Sequence, residues 1–238
     1  MKVDTDALSA HLREVQTRIE RACARAGRSP AEVALLPITK SVGPEVIQAL
    51  HVLGVQEVGE NRVLETIEKA SRCPGGLTWH MVGHLQTNKA RKAMGLFRVV
   101  HSVDSLRLAQ VIDVEAARIG ATVGIYLEVN VSGEEAKHGL RPGEVPSVAR
   151  QVAALPELRL RGLMTMAPIS DQQAGPASDA ERIRPVFRGL RELRDRLVAE
   201  GIDAPGLSMG MTQDFEVAIE EGATVVRIGT ALFQGVES

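Results

Sequence analysis

Apolar positions recur at helical spacing at the start of the chain. Leu8, Leu12, Val15, Ile19 and Ala22 form one stripe and Gly27 follows as a stop, which predicts a helix over 6–26. From there short β-branched runs alternate with amphipathic stretches. Strands are predicted at 33–38, 55–58, 79–83, 98–103, 122–131, 158–166, 206–210 and 224–229. Helices are predicted at 44–53, 61–71, 87–95, 105–118, 143–154, 178–200 and 213–221, with a short one at the end. Eight strand-then-helix units follow the leading helix. Val/Ile/Leu-rich strands that alternate with helices form a parallel sheet covered by those helices. Eight units in 238 residues predict a single α/β domain over 1–238, a (β/α)8 TIM-type barrel with an extra N-terminal helix. A doubly wound open sheet is the competing architecture. It usually has fewer strands, and no G-x-G-x-x-G follows any strand of this chain. The polar stretch 167–182 reads as a surface loop, with a lid as the alternative.

Bulk properties narrow the function. Net charge is −2, so no basic field exists for sequence-independent nucleic-acid binding. No apolar run is long enough for a membrane span, and the charged N-terminus lacks a signal-peptide core. Cys23 and Cys73 have no metal-ligand spacing, and free thiols fit a cytoplasmic protein. His80 and His84 are four apart, but they lie on and at the end of a predicted strand and lack the glutamate of H-E-x-x-H, so no metal site is expected. His84 is read as a loop-ordering partner. The P-loop motif is absent. The arginines of 181–200 read as a solvated helix face, or else as a docking face.

In a barrel the strand C-termini build the site. "VALLPITKSVGP" ends an apolar strand in Lys40, either a cation reaching for water or an amine with chemistry to do. "RIGTALF" opens a helix after strand eight with Gly229 and Thr230. Backbone N–H groups and a hydroxyl there make either an anion site or an ordinary cap. "LSMGM" adds the Ser208 hydroxyl. Arg227 lies within strand eight, and if it points inward it needs an acceptor, with Glu128 as one candidate. A phosphate cradle after strand eight and a lysine at the end of strand one face each other across the closure of a barrel. A flat aromatic aldehyde carrying a phosphate, pyridoxal phosphate, joins two such groups.

These stretches, together with "PITKS", "GENRVLE", "WHMVGHLQTNK", "HSVDS", "EVNVSGEEAKHG" and "RGLMTMAP", span almost the whole chain. In them the chain resembles the YggS/PROSC family of pyridoxal phosphate homeostasis proteins. The resemblance implies a fold-type III barrel like the N-terminal domain of alanine racemase. It implies pyridoxal 5'-phosphate held as a Schiff base on Lys40, with the phosphate on Ser208, Gly229 and Thr230. Arg227 would face the pyridine nitrogen, Asn61 would line the pocket, and Met209 would supply backbone on the phosphate side. The family often carries a second lysine where this chain has Val42, and aromatics where it has Val58 and Arg62. No role of those side chains is carried over.

The implied function is a carrier that buffers the cofactor, exchanges it with free amino acids and passes it to apoenzymes, with no catalytic residue assigned. Alanine racemase-type enzymes take a base from a tyrosine on a second domain, whereas the single tyrosine here, Tyr126, falls mid-strand. An amino-acid racemase or lyase using the cofactor is the alternative, and a sugar-phosphate Schiff-base enzyme is the third reading.

Overall fold

The computed structural model describes residues 3–134, 138–168 and 175–237, of which 175–179 are described by backbone alone. A leading helix, α1 (Thr5–Arg25), precedes the alternating units. They are β1 (Ala34–Pro37), α2 (Pro44–Val52), β2 (Glu57–Glu60), α3 (Val63–Ala70), β3 (Thr78–Met81), α4 (Ala90–Met94), β4 (Phe97–Val103) and α5 (Leu106–Ile119). The chain continues with β5 (Val123–Glu128), α6 (Val145–Ala153), β6 (Leu158–Met164), α7 (Gly175–Ala199), β7 (Gly206–Ser208), α8 (Phe215–Glu220), β8 (Val225–Ile228) and α9 (Thr230–Phe233).

All eight strands are parallel, in the order β1-β8-β7-β6-β5-β4-β3-β2. The remaining seam, between β1 and β2, closes through a parallel bridge from Ile38 to Gly59 and a 2.9 Å bond from the Thr39 N–H to the Gly59 carbonyl. Gly59 permits that closure, because a Cβ there would stand 2.5 Å from Ile38 Cδ1. Pro37 sits in β1 without loss. Ile38 donates to Ile228 on the β8 side and Thr39 donates toward β2. The nitrogen of Pro37 therefore faces β2 just before pairing on that side begins. The barrel class expected from the alternation is the one formed, and the open sheet is excluded.

The main apolar core lies between the strands and the helix ring. A small inner cluster of Val99, Tyr126 and Met164, with Val225 against it, fills part of the lumen. Helix α1 straps the end of the barrel to its last units. Its stripe of Leu8, Leu12, Val15, Ile19 and Ala22 is buried. Arg18 pairs with Glu216 at 3.1 Å, and the Arg28 guanidinium donates to the carbonyls of Ile219 and Ala223 at 2.8 and 2.9 Å.

Element limits differ from expectation where caps intervene. The second strand starts at Glu57 instead of Val55, because the Val55 N–H closes the end of α2 on the Leu50 carbonyl behind Gly54 at φ +93°. Helix α7 begins at Gly175, so part of the stretch 167–182, read from the sequence as a loop or a lid, is helical; its residues 169–174 lie outside the described residues. The arginine face of α7 is also not simply solvated. Arg184, Arg188 and Arg191 converge on the buried Glu221 carboxylate at 3.0, 3.1 and 3.0 Å. That network locks α7 to the end of α8, and through it to β8. Burial pushes the Glu221 carboxyl up, but hydrogen bonds from Arg188 and Arg184 outweigh it and hold the group below the ordinary glutamate range.

A carboxyl lowered in the fold contributes stability above its unfolded value, and the contribution is lost as pH falls through the folded value. The Glu221→Gln variant is therefore expected to lose roughly 1–3 kcal/mol at pH 7, since the three arginines remain half-exposed and screened. The gap from the parent protein should narrow toward about pH 3, as the pH falls through the folded value, which lies below the ordinary glutamate range. Urea unfolding at the two pH values measures it, and an equal loss at both would contradict the ionic origin.

Candidate functional site

A cavity of about 400 Å³ opens at the C-terminal ends of the strands. Lys40, Asn61, Arg227, Gly229 and Thr230 all line it, with Met211–Asp214 and Met166–Pro168 on the other walls. Five of the seven residues singled out from the sequence are thus brought together.

Lys40 sits three residues past β1, on an exposed turn at the rim. Among the described residues its ammonium has no ion-pair or hydrogen-bond partner. The nearby acid has been taken by another lysine. Glu60, buried at the end of β2, accepts from Lys69 at 2.7 Å and from the Thr39 hydroxyl at 2.8 Å. Lys69 also holds the Thr39 carbonyl at 2.8 Å. One buried pair therefore pins the backbone just before Lys40 and leaves the amine of Lys40 free.

Arg227 points inward from β8 and is buried. Nη1 donates to Ser208 Oγ at 2.7 Å and Nη2 to the Thr165 carbonyl at 2.9 Å. Among the described residues no carboxylate forms an ion pair with it, and Glu128, the partner considered from the sequence, does not reach it. Burial pulls its pKa down to about 10, against which Asp214 and Glu128 pull upward, so the guanidinium stays charged at neutral pH. A buried cation held only by neutral acceptors presents its remaining N–H donors and its charge to whatever enters the cavity.

Ser208 and Met209 are placed differently from the expected phosphate wall. Ser208 is fully buried beneath Arg227, and its second neighbour is His101 Nδ1 at 2.7 Å. Met209 is fully buried in the helix-side core, and its N–H is used in the ladder, donating to the Val225 carbonyl at 3.1 Å. Neither lines the cavity. Gly210, next in the chain, has φ +94° and a carbonyl that accepts the Arg227 N–H at 2.9 Å. A Cβ at Gly210 would meet Ala218 Cβ at 2.6 Å, so glycine fixes the backbone turn that seats Arg227.

Residues missed in the sequence complete the site. Thr165 and His101 hold Arg227 directly or through Ser208, and Asp214 lines the cavity while accepting from the Met211 N–H. Each lay in a strand-end stretch rich in polar residues, but only side-chain facing separates it from its neighbours. His80 and His84 diverge. His80 is buried in the lumen against His101, while His84 lies 3.3 Å from Asp104 at the rim, the loop-ordering role expected of it. His84, Asp104 and His138 bring potential metal-ligand atoms within 4.8 Å of one another. The two rings are stacked at 4.3 Å and 15°, which sets their in-plane lone pairs side by side instead of converging on one point.

Glu128 is buried near the top of β5. Desolvation, with Asp104 adding to it, pushes its carboxyl up to about 7, while His138 and Arg227 oppose. A raised carboxyl destabilises the fold as it ionises: stability falls as pH rises from the unfolded value near 4.5 to about 7, then stays level. Glu128→Gln removes the ionisation. The variant is expected to match the parent at pH 4.5 and exceed it by roughly 1–3 kcal/mol at pH 8. Denaturant midpoints at both pH values check this, and a variant less stable at pH 8 would refute it.

The family model for the alanine racemase N-terminal domain matches residues 3–236. A pyridoxal phosphate homeostasis protein of Aquifex aeolicus is 44% identical over 224 residues, covering 93% of this chain and 95% of that protein. PipY of Synechococcus elongatus, in a structure described as having PLP bound, superposes with a TM-score of 0.76 at 33% identity, covering 91% of this chain and 99% of that one. An alanine racemase from Clostridium difficile shares the fold at a TM-score of 0.74 and 17% identity, with 98% of this chain matched to 57% of that one. With its whole barrel matched by the family model and by close relatives, the chain belongs to the alanine racemase N-terminal domain family, among its pyridoxal phosphate homeostasis proteins.

Proposed function

We propose that this protein binds pyridoxal 5'-phosphate in the barrel-mouth cavity and holds it as a reversible Schiff base on Lys40. The observation that carries the reading is the pairing of an unpartnered lysine with a buried, carboxylate-free guanidinium across one cavity of about 400 Å³. The cavity fits a flat aldehyde with an acceptor nitrogen and an anionic tail. Lys40 supplies the amine, Arg227 the donor toward the ring nitrogen, and Gly229 and Thr230 the phosphate side, with Asn61 on the wall. Ser208 acts one step back, through Arg227, and Met209 through the backbone that carries Ser208. The PLP-bound description of PipY supports the same ligand.

When bound, the cofactor supplies a carbonyl that exchanges between amines. The protein's part is to bind and to limit. A guanidinium only donates and stays charged, so it favours an unprotonated ring nitrogen, which withdraws electrons weakly. That supports storage and exchange over carbanion chemistry. Tyr126, the single tyrosine, is buried against His101 with ring centroids 4.5 Å apart and does not line the cavity. The proposed role is cofactor homeostasis: buffering the reactive aldehyde, exchanging it with free amino acids and releasing it to apoenzymes.

The test is the visible absorption spectrum with added pyridoxal phosphate, before and after borohydride. The parent protein is expected to show a band that borohydride fixes covalently, and Lys40→Ala is expected to lack it. A band that survives in Lys40→Ala places the link elsewhere, and no band in either removes the reading. Chiral analysis after incubation with L-alanine distinguishes storage from racemisation. Turnover at about 1–1000 per second would overturn the carrier role.

A further inference from the structure

The lumen of the barrel holds a file of polar side chains that runs away from the cavity. It begins at Arg227, whose Nη1 donates to Ser208 Oγ at 2.7 Å. Ser208 Oγ is 2.7 Å from His101 Nδ1. His101 Nε2 is 2.9 Å from His80 Nδ1. His80 Nε2 lies 3.5 Å from a Glu57 carboxylate oxygen, with no closer acceptor although the nitrogen is buried. Glu57 is the first residue of β2 and its side chain is half-exposed, so the file ends at the face of the barrel opposite the cavity. Five strands contribute one residue each. His80, His101, Ser208 and Arg227 are all buried.

The proton positions follow from counting donors and acceptors. A guanidinium has no lone pair to offer, so Ser208 accepts from Arg227. The one hydroxyl hydrogen of Ser208 then finds its acceptor at His101 Nδ1. His101 carries its proton on Nε2 and donates to His80 Nδ1. His80 carries its proton on Nε2, aimed at Glu57. Every link then has one donor and one acceptor. The opposite direction leaves the Ser208 hydroxyl hydrogen without an acceptor. It also needs an extra proton on His80 or Glu57, or else two lone pairs face each other. The groups facing the His101 ring are His80 from β3, Tyr126 from β5, Arg161 from β6 and Arg227 from β8, and none of them carries the negative charge that an imidazolium needs. Burial, then His80 and Arg227, hold its pKa well below the ordinary histidine value.

We propose that Glu57, His80, His101 and Ser208 form a one-way hydrogen-bond relay, with both imidazoles locked as Nε2–H tautomers, that positions Arg227 in the cavity and ties it to the far face of the barrel. These four are positioning residues. The relay replaces a carboxylate partner: it fixes the guanidinium by geometry while leaving its charge for the ligand. Its effect on cofactor affinity rests on the function proposed above, whereas the tautomer assignment does not.

The experiment is ¹⁵N NMR of histidine-labelled protein without cofactor at pH 7.5, followed by a pyridoxal phosphate titration. Both His80 and His101 are expected to be neutral, with Nδ1 bare and Nε2 protonated. In His80→Phe, His101 Nε2–H loses its acceptor and the single tautomer is expected to give way to a mixture of the two, with the dissociation constant for pyridoxal phosphate rising about 3–30-fold. Glu57→Ala, at a half-exposed position, guards against a folding failure. It should speed solvent exchange of the His80 Nε2 proton and raise the dissociation constant about 2–5-fold. A doubly protonated His80, an Nδ1–H tautomer on either ring in the parent, or unchanged affinity in both variants would overturn the relay. Parent protein that shows the expected tautomers but binds no pyridoxal phosphate refutes the function and leaves the hydrogen-bond assignment standing.

Discussion

A guanidinium buried without a carboxylate governs the architecture of this barrel. Removing a charge from water costs several kcal/mol unless polar partners replace the water. An ion pair would be the cheapest remedy locally, and it would also cancel the charge. Here the partners are a serine hydroxyl and a backbone carbonyl. The lumen beneath is accordingly not a full stack of branched aliphatics. It holds a thin apolar cluster of Val99, Tyr126 and Met164 beside a file of histidines and serine. The turn at Gly210 and the interlock of Glu221 with three arginines of α7 belong to the same requirement, since both fix the backbone around β8.

The other half of the site is governed by an acid that is already engaged. A lysine beside a glutamate forms a salt bridge and loses reactivity. Glu60 is saturated by Lys69 and Thr39, so the charge balance around the GEN stretch is settled within β2 and α3. Lys40 then projects from a backbone that is held at Thr39 on both sides, by the Gly59 carbonyl and by Lys69. A rigid base with a free amine at its tip is the arrangement that exchange chemistry with an aldehyde needs.

The alternation of periods made the barrel legible, because a parallel sheet under helices leaves the same trace in every unit. The strand ends were legible as a set for the same reason. What the sequence could not supply is facing. Ser208, Met209 and Gly210 are consecutive, and which of them reaches the cavity depends on a register one residue either way. Ser208 turns into the lumen, Met209 into the outer core, and neither meets the cavity. In the sequence Arg227 is ambiguous between ligand contact and ion pair, and its partners in the fold are a hydroxyl and a backbone carbonyl. His80, His101 and Glu57 lie on three strands 21 residues or more apart in sequence, and nothing local marks them as neighbours. The arginines of α7 looked like a solvated face because a helical wheel cannot show one buried acid arriving from another helix.

The titratable side chains lining the cavity bear on whether the site stores or transforms. Among the described residues they are Lys40, Asp214 and Arg227. Arg227 donates only, and Asp214 is engaged by the Met211 N–H. Moving a proton from one face of a substrate carbon to the other takes two groups that exchange protons readily, on opposite sides. Lys40 is suited to be one, and Asp214 would first have to give up the hydrogen bond that shapes its own loop. Exchange of an aldehyde between amines asks for less: one free amine, a fixed donor for the ring and access for the incoming amine. The cavity meets those three conditions with residues already in position, which is why the proposed holding role follows from its walls with less rearrangement than a two-base reaction would.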